Sequence, residues 1–235
     1  EQIDLGENRD ELQSKLYLAK DIKNSSRAVT IKIIKLNFNL EKDLRQELFR
    51  REYISLRRLN YEKIVKYIDS GQDEDMLYLV MEHYDGCTLK DYIKNNEVLL
   101  EDKIKIAINI SDALAYAHEK DVIHRDLKPT NIMLNNPNDI RIIDFGISKI
   151  INENYKPDET VKCYMTVRYA SPEQLMRYEA KIQSDIYSLG LTIAYIISEV
   201  EPPEEKEKLK EYIKEKYGQN YVGKVKVSKK KENVQ

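Results

Sequence analysis

The chain has 235 residues, 41% of them hydrophobic and 34% charged, with a formal net charge of −2, enough length for one sizeable core or two small lobes. Acidic and basic residues are interleaved, and this near-neutral balance excludes a strong field for nucleic acid or a membrane surface. No run reaches the roughly 18 apolar residues of a membrane span.

Short β-rich runs dominate the first third. Leu16 to Ala19 and Ala28 to Ile34 flank the turn-forming Lys23-Asn24-Ser25-Ser26, a pattern that predicts a hairpin. A helix is expected from about Glu41 to Leu59, with Leu44, Leu48, Ile54, Leu56 and Leu59 roughly on one side. Ile64 to Ile68 and Met76 to Met81 are two more strand candidates, separated by a polar turn over Gly71-Gln72-Asp73-Glu74-Asp75. After about position 85 the pattern turns helical. Ile106, Ile110, Ala113, Leu114 and Ala117 space one helix over Lys103–His118, and Ser184–Glu199 makes a second, more apolar one whose stretch Leu189–Ile197 reads as buried. Leu209, Ile213 and Tyr217 recur every four residues within the Glu- and Lys-rich segment Glu204–Tyr217, which predicts an amphipathic surface helix. The polar end, Ser228–Gln235, is expected to fray. The arrangement predicts an α+β fold with a small β-rich lobe on a larger helical one.

Cys87 and Cys163 stand far apart, outside any metal-ligand spacing, and are expected as reduced thiols of an intracellular, cytoplasmic protein. The first residue is Glu1, so a membrane anchor or targeting segment in a longer parent protein is left open.

The most informative string is His124-Arg125-Asp126-Leu127-Lys128-Pro129-Thr130-Asn131, followed thirteen residues on by Asp144-Phe145-Gly146. Either motif alone is weak; both in this order and spacing are specific. With them the sequence resembles the eukaryotic-type (Hanks-type) protein kinase family, in its serine/threonine branch, from about Leu5 to about Val200. The implied fold is bilobal: an N-lobe over about 1–82, a hinge at 83–84, a C-lobe over 85–200 and a diverged helical and polar segment over 201–235, all one kinase domain.

The chemistry implied is transfer of the γ-phosphate of ATP to a protein hydroxyl, a reaction that asks a protein mainly for positioning and electrostatics. Asp126 matches the catalytic base, and Lys128 sits where it can neutralise charge on the γ-phosphate. Asn131 and Asp144 match the two ligand positions for Mg2+, a hard cation that prefers oxygen. Lys32, in Val29-Thr30-Ile31-Lys32, matches the lysine that reaches the α- and β-phosphates. Glu52 falls where its helix glutamate partner stands, with Glu41 and Glu47 as rivals. Leu79-Val80-Met81-Glu82-His83-Tyr84 resembles the hinge. There the backbone of Glu82 and Tyr84 would pair with adenine, Met81 would line the back of the pocket, and Leu16 and Met133 would sandwich the base. Thr166-Val167-Arg168-Tyr169-Ala170-Ser171-Pro172-Glu173 resembles the end of an activation segment, and Asp185 the buried aspartate beneath the catalytic loop. Thr160 and Tyr164 are read equally as phosphate acceptors facing Arg125 and as plain loop polarity. The partners implied are ATP, a protein substrate bearing serine or threonine, and a second copy of the chain for trans-autophosphorylation, with no nucleic acid and no membrane span.

Four departures from the family pattern stand out. The glycine-rich loop is degenerate: counted back from Tyr17 its three glycine positions read Arg9, Glu11 and Ser14, or else Gly6-Glu7 begins a loop lengthened by an insertion, and either way the grip on the phosphates from above is weakened. Thr30 replaces a small alanine against the base, where its hydroxyl would crowd or wet the pocket. Met165 replaces the glycine before Thr166. Glu173 has no arginine after Arg177 to pair with, so it is expected partly exposed or beside a lysine. These departures keep open a pseudokinase-like scaffold or regulatory nucleotide-binding module, and at greater distance a small-molecule kinase of the aminoglycoside type.

Overall fold

A computed structural model of the chain describes residues 14–22, 27–35, 53, 56–73, 76–145, 168–175 and 180–203. The expected hairpin is present as β1 (Ser14–Asp21) and β2 (Arg27–Lys35), antiparallel, with Leu16 opposite Lys32 and Leu18 opposite Thr30. β2 then pairs antiparallel with β4 (Met76–Glu82), and β4 with β3 (Tyr67–Asp73), giving a four-stranded sheet in the order β1-β2-β4-β3. β4 alternates strictly: Leu77, Leu79 and Met81 are buried in the core, and the residues between them are half-exposed.

β3 departs from the sequence expectation. The strand lies at Tyr67–Asp73 rather than at Ile64–Ile68, and the polar Gly71, Gln72 and Asp73 belong to it rather than to a turn. An edge strand can present polar residues to water, which is why hydrophobicity misplaces it. Gly71 stands opposite Tyr78, and a Cβ there would run into the Tyr78 phenol. Ile64 makes only an isolated parallel bridge to Ile142. Of the helix expected over 41–59, the described Tyr53, Leu56 and Arg57 are helical, and residues 41–52, 54 and 55 lie outside the described residues. The segment 204–235, with its expected amphipathic helix, lies outside them as well.

The second half contains α1 (Leu89–Asn95), α2 (Leu100–Glu119), α3 (Pro172–Leu175) and α4 (Ile182–Ser198). It is less purely helical than the sequence suggests. β5 (Cys87–Thr88), β6 (Ile132–Asn136) and β7 (Asp139–Ile142) form a small antiparallel sheet in that order. Ile132, Leu134, Ile140 and Ile142 are fully buried at alternate positions of this sheet, a period-two signal too short to stand out from its polar surroundings. Thr88 caps α1 by accepting the Asp91 N–H at 3.1 Å while its hydroxyl donates to the Asp91 carboxylate at 2.6 Å.

The core runs from Leu77, Leu79 and Met81 of β4 through Ile64 and Ile142 to Ile106, Ile110 and Leu114 of α2 and Ile196 of α4. The two lobes meet along a backbone seam. Ile142 N–H donates to Lys63 O at 2.9 Å and Val65 N–H to Ile142 O at 3.0 Å, while beside them, within the first lobe, Glu82 N–H donates to Lys66 O at 2.9 Å. Where α4 ends, Lys103 of α2 donates to the Ile197 carbonyl at 3.4 Å and to the Glu199 carboxylate at 2.5 Å. A cation is well placed there, at the negative end of the helix dipole. Cys87 is a free thiol, and Cys163 lies outside the described residues. Among the described residues no helix is long and apolar enough to cross a membrane.

Candidate active site

The segment after α2 is held from below by one carboxylate. Asp185, on the first turn of α4, is 1% exposed. Its Oδ2 accepts the His124 N–H at 2.7 Å and faces His118 Nε2 at 2.8 Å, and its Oδ1 accepts the Arg125 N–H at 2.8 Å. Gln174 of α3 adds a bond from its amide to the Arg125 carbonyl at 2.8 Å. With both its peptide groups fixed, Arg125 is held in the left-handed region at φ 69°, a conformation that a non-glycine residue keeps only when its surroundings over-determine it. Leu127 is fully buried and anchors the next turn.

This scaffold gathers the acidic and basic groups named from the sequence. Lys128 Nζ lies 2.8 Å from Asp126 Oδ2. Asn131, at the end of a single 3-10 turn (Pro129–Asn131), donates its amide to Asp126 O at 2.8 Å and to Asp126 Oδ2 at 3.1 Å. Both bonds use the side-chain nitrogen, and the backbone carbonyl accepts the Ile143 N–H at 3.0 Å, which leaves the side-chain oxygen Oδ1 as the acceptor Asn131 can offer elsewhere.

Across the cleft, Lys32 of β2 places Nζ 2.7 Å from Asp144 Oδ1, 112 residues away in sequence. Asp144 follows β7 and is itself left-handed, at φ 59°. Burial pushes its carboxyl up, but the Lys32 charge and hydrogen bond, with Lys128 behind them, hold it below the ordinary carboxylate range. His124 is fully buried between these groups, and its ring packs on Phe145 at 4.6 Å. Its Nδ1 accepts the Asp126 N–H at 3.2 Å, so Nε2 carries the proton toward Ile143 O at 2.9 Å. Burial lowers its pKa against the pull of Asp185 and Asp126, and the ring serves as a neutral spacer.

At the other end of the cleft, Leu16 lies opposite Lys32 on β1. Met133 of β6 is half-buried between the fully buried Ile132 and Leu134, so it faces away from the core. Met81 is buried at the end of β4. The three residues after Met81 are each tied elsewhere. Glu82 Oε1 accepts the Lys66 N–H at 2.9 Å. His83 Nδ1 lies 3.2 Å from the Thr30 hydroxyl. Tyr84 donates its hydroxyl to Asp139 O at 2.8 Å and accepts the Asn135 N–H at 3.1 Å, under an Arg141 guanidinium 4.9 Å from the ring centre. Burial pushes the Tyr84 phenol up to about 12, with Asp139 adding to it.

Glu52 and its rivals Glu41 and Glu47 lie outside the described residues, as do Arg9, Glu11, Gly146, Thr160, Tyr164, Met165 and Thr166. Ser14, the third replaced glycine position, is already part of β1, paired with Ile34. Glu173 is half-buried and accepts the Ser184 hydroxyl at 2.5 Å. Burial raises its pKa, but that bond, backbone donation and the nearby Lys181 charge outweigh it and hold the carboxyl low. Sequence reading misses His118, Gln174, Ser184 and the side chain of Tyr84. Each acts across a long sequence gap or as a common polar residue, and no local spacing marks it.

The protein kinase domain family model matches residues 13–235. A probable serine/threonine-protein kinase PknB of Lactococcus lactis is 36% identical over 184 residues, covering 78% of this chain and 29% of that protein. Serine/threonine-protein kinase PrkC of Bacillus subtilis is 35% identical over 184 residues, with 78% and 28% covered. Serine/threonine-protein kinase PknB of Mycobacterium leprae is 34% identical over 195 residues, with 81% and 31% covered. The chain therefore spans less than a third of the length of these relatives. In fold it is similar to the crystal structure of a point mutant of the Mycobacterium tuberculosis PknI kinase domain, with a TM-score of 0.64 at 22% identity, covering 85% of this chain and 76% of that one.

Proposed function

The chain belongs to the protein kinase domain family, and from that premise we propose that it is an ATP-dependent serine/threonine protein kinase that moves the γ-phosphoryl group of ATP to a protein hydroxyl. The observation that carries this reading is the 2.7 Å pair between Lys32 and Asp144. It joins the β2 lysine to the carboxylate beside the Asp126, Lys128 and Asn131 cluster, as a site for a polyphosphate and a cation requires.

In this reading the N-lobe takes residues 1–82, the hinge 83–84 and the C-lobe 85–200, with a diverged segment over 201–235. Leu16 and Met133 enclose the adenine, and the backbone of Glu82 and Tyr84 pairs with its edge. Lys32 holds the α- and β-phosphates, with Glu52 as its partner on the N-lobe helix. Asp126 orients the attacking hydroxyl and takes its proton as the new O–P bond forms and the bond to the leaving ADP oxygen breaks. Lys128 neutralises the charge that spreads over the phosphoryl oxygens. The Asn131 side-chain oxygen and the ionised Asp144 carboxylate fit Mg2+, which takes few protein oxygens and completes its shell with phosphate and water. Bound there, the metal supplies charge neutralisation on the phosphates. A second copy of the chain is the partner for trans-autophosphorylation.

The test is labelled phosphate transfer from ATP with magnesium, to a generic basic protein and to the chain itself, beside Asp126→Asn. Transfer that disappears in the variant and in chelator supports the assignment. Equal transfer by both proteins removes Asp126 from the mechanism. No transfer from a cooperatively melting protein whose melting temperature still rises with ATP points instead to the regulatory nucleotide-binding module.

A further inference from the structure

The three hinge-side residues are anchored to three different places. Glu82 is tied to the segment before β3, Tyr84 to the β6–β7 turn, and His83 to Thr30 of β2. The last bond links a hinge side chain to the strand carrying Lys32, which Glu82 also meets through the β2–β4 ladder and at Arg27, 3.8 Å away. Thr30 stands opposite Met81 in the ladder and two residues before Lys32, so alternation puts both side chains on the cleft face of the sheet. Both Thr30 and His83 are half-buried. The bond is indifferent to the state of the imidazole, because a hydroxyl donates to a bare Nδ1 and accepts from a protonated one. It is therefore a fixed brace between the roof of the cleft and the strip that borders the base.

We propose that Thr30 and His83 are a positioning pair for the nucleotide base: their hydrogen bond sets the height of the slot between Leu16 and Met133, and with it the affinity for the adenine end of the ligand. This rests on the nucleotide reading of the cleft and adds two residues to it. The hydroxyl that departs from the family pattern is then built into the hinge instead of standing loose in the pocket.

The experiment is calorimetric titration of the whole chain with adenosine and with ATP plus magnesium. Thr30→Val, which keeps the shape and removes the hydroxyl, is compared with His83→Phe, the double variant and Thr30→Ser. The expected result is a loss of about three- to tenfold for each single variant, as one neutral hydrogen bond commands. The loss is the same for adenosine and ATP, the double variant is no worse than either single one, and Thr30→Ser restores the wild-type value. Wild-type binding in the valine variant, losses for ATP alone, or additive losses would each overturn the pair. Thr30→Ser as weak as Thr30→Val would do the same. A wild-type chain that binds neither ligand removes the nucleotide reading itself, whereas a binding wild type with unaltered variants removes only this pair.

Discussion

Asp185 reaches back 60 residues to accept the Arg125 N–H at 2.8 Å. The same carboxylate holds the His124 N–H and faces the His118 ring. One buried side chain on α4 thus shapes a turn that local propensity would not form. Asp185→Ala leaves these buried donors without their acceptor and is expected to cost about 3–5 kcal/mol. That is a fall of roughly 10 °C in melting temperature for a chain of this size. Asp185→Asn, which retains one acceptor oxygen, should lose less. Denaturant titration of both variants checks this, and a loss below about 1 kcal/mol for alanine would deny the carboxylate its structural role.

Lys32→Met should lower phosphotransfer by at least about a hundredfold and also change the acid response. In the wild type the depressed Asp144 contributes stability that is complete above its ordinary value of 3.8 and is lost as pH falls through the depressed one. Without Lys32 the two largest lowering influences are gone, and burial, which raises the carboxyl, stands against the weaker pull of His124 and Lys128. His124 weakens both proteins alike as pH falls below 6.5, so the expected difference lies lower: near and below about pH 4 the wild type loses a further contribution that the variant does not. Parallel melting curves for the two proteins would contradict the pairing.

His124 should remain neutral below its ordinary value of 6.5, because burial depresses its pKa. A histidine depressed in the folded state gives stability that is present above the unfolded pKa and lost as pH falls below it. The midpoint of its ring resonances in an NMR titration is expected below the ordinary value. A midpoint at the unperturbed value would place the ring in water.

Tyr84→Phe removes a hydroxyl that bridges Asp139 O and Asn135 N, and is expected to cost about 1–2 kcal/mol in denaturant melts. In ultraviolet difference titration the wild type should show two phenols, Tyr84 and Tyr187, ionising at about 12, and the variant only one. If the two curves coincide, the phenol does not occupy this bridge.

Much of the fold is legible in the sequence. The hairpin of β1 and β2 can be read because turn residues separate two apolar runs, and α2 and α4 because their buried positions keep a 3.6-residue period. The cluster of Asp126, Lys128 and Asn131 is legible because all three lie within six residues of one another. β3 is misplaced because an edge strand does not need apolar alternation. The β5–β7 sheet is missed because its strands are short and flanked by polar turns. Gln174 and His118 escape for a different reason. Their targets lie 49 and 67 residues away, and only tertiary packing brings such groups together. Thr30 stands out as an oddity in the pattern, but its partner His83 lies 53 residues on, so its role needs the fold.

The seam at Lys63 and Val65 carries a mechanical consequence. Both of its bonds between the lobes end on the peptide groups of one residue, Ile142, so the backbone pins the lobes at a point. The Lys32–Asp144 pair joins them at a second place, through two long side chains instead of peptides. A ligand that bridges Lys32 and Asp144 would serve there as the latch.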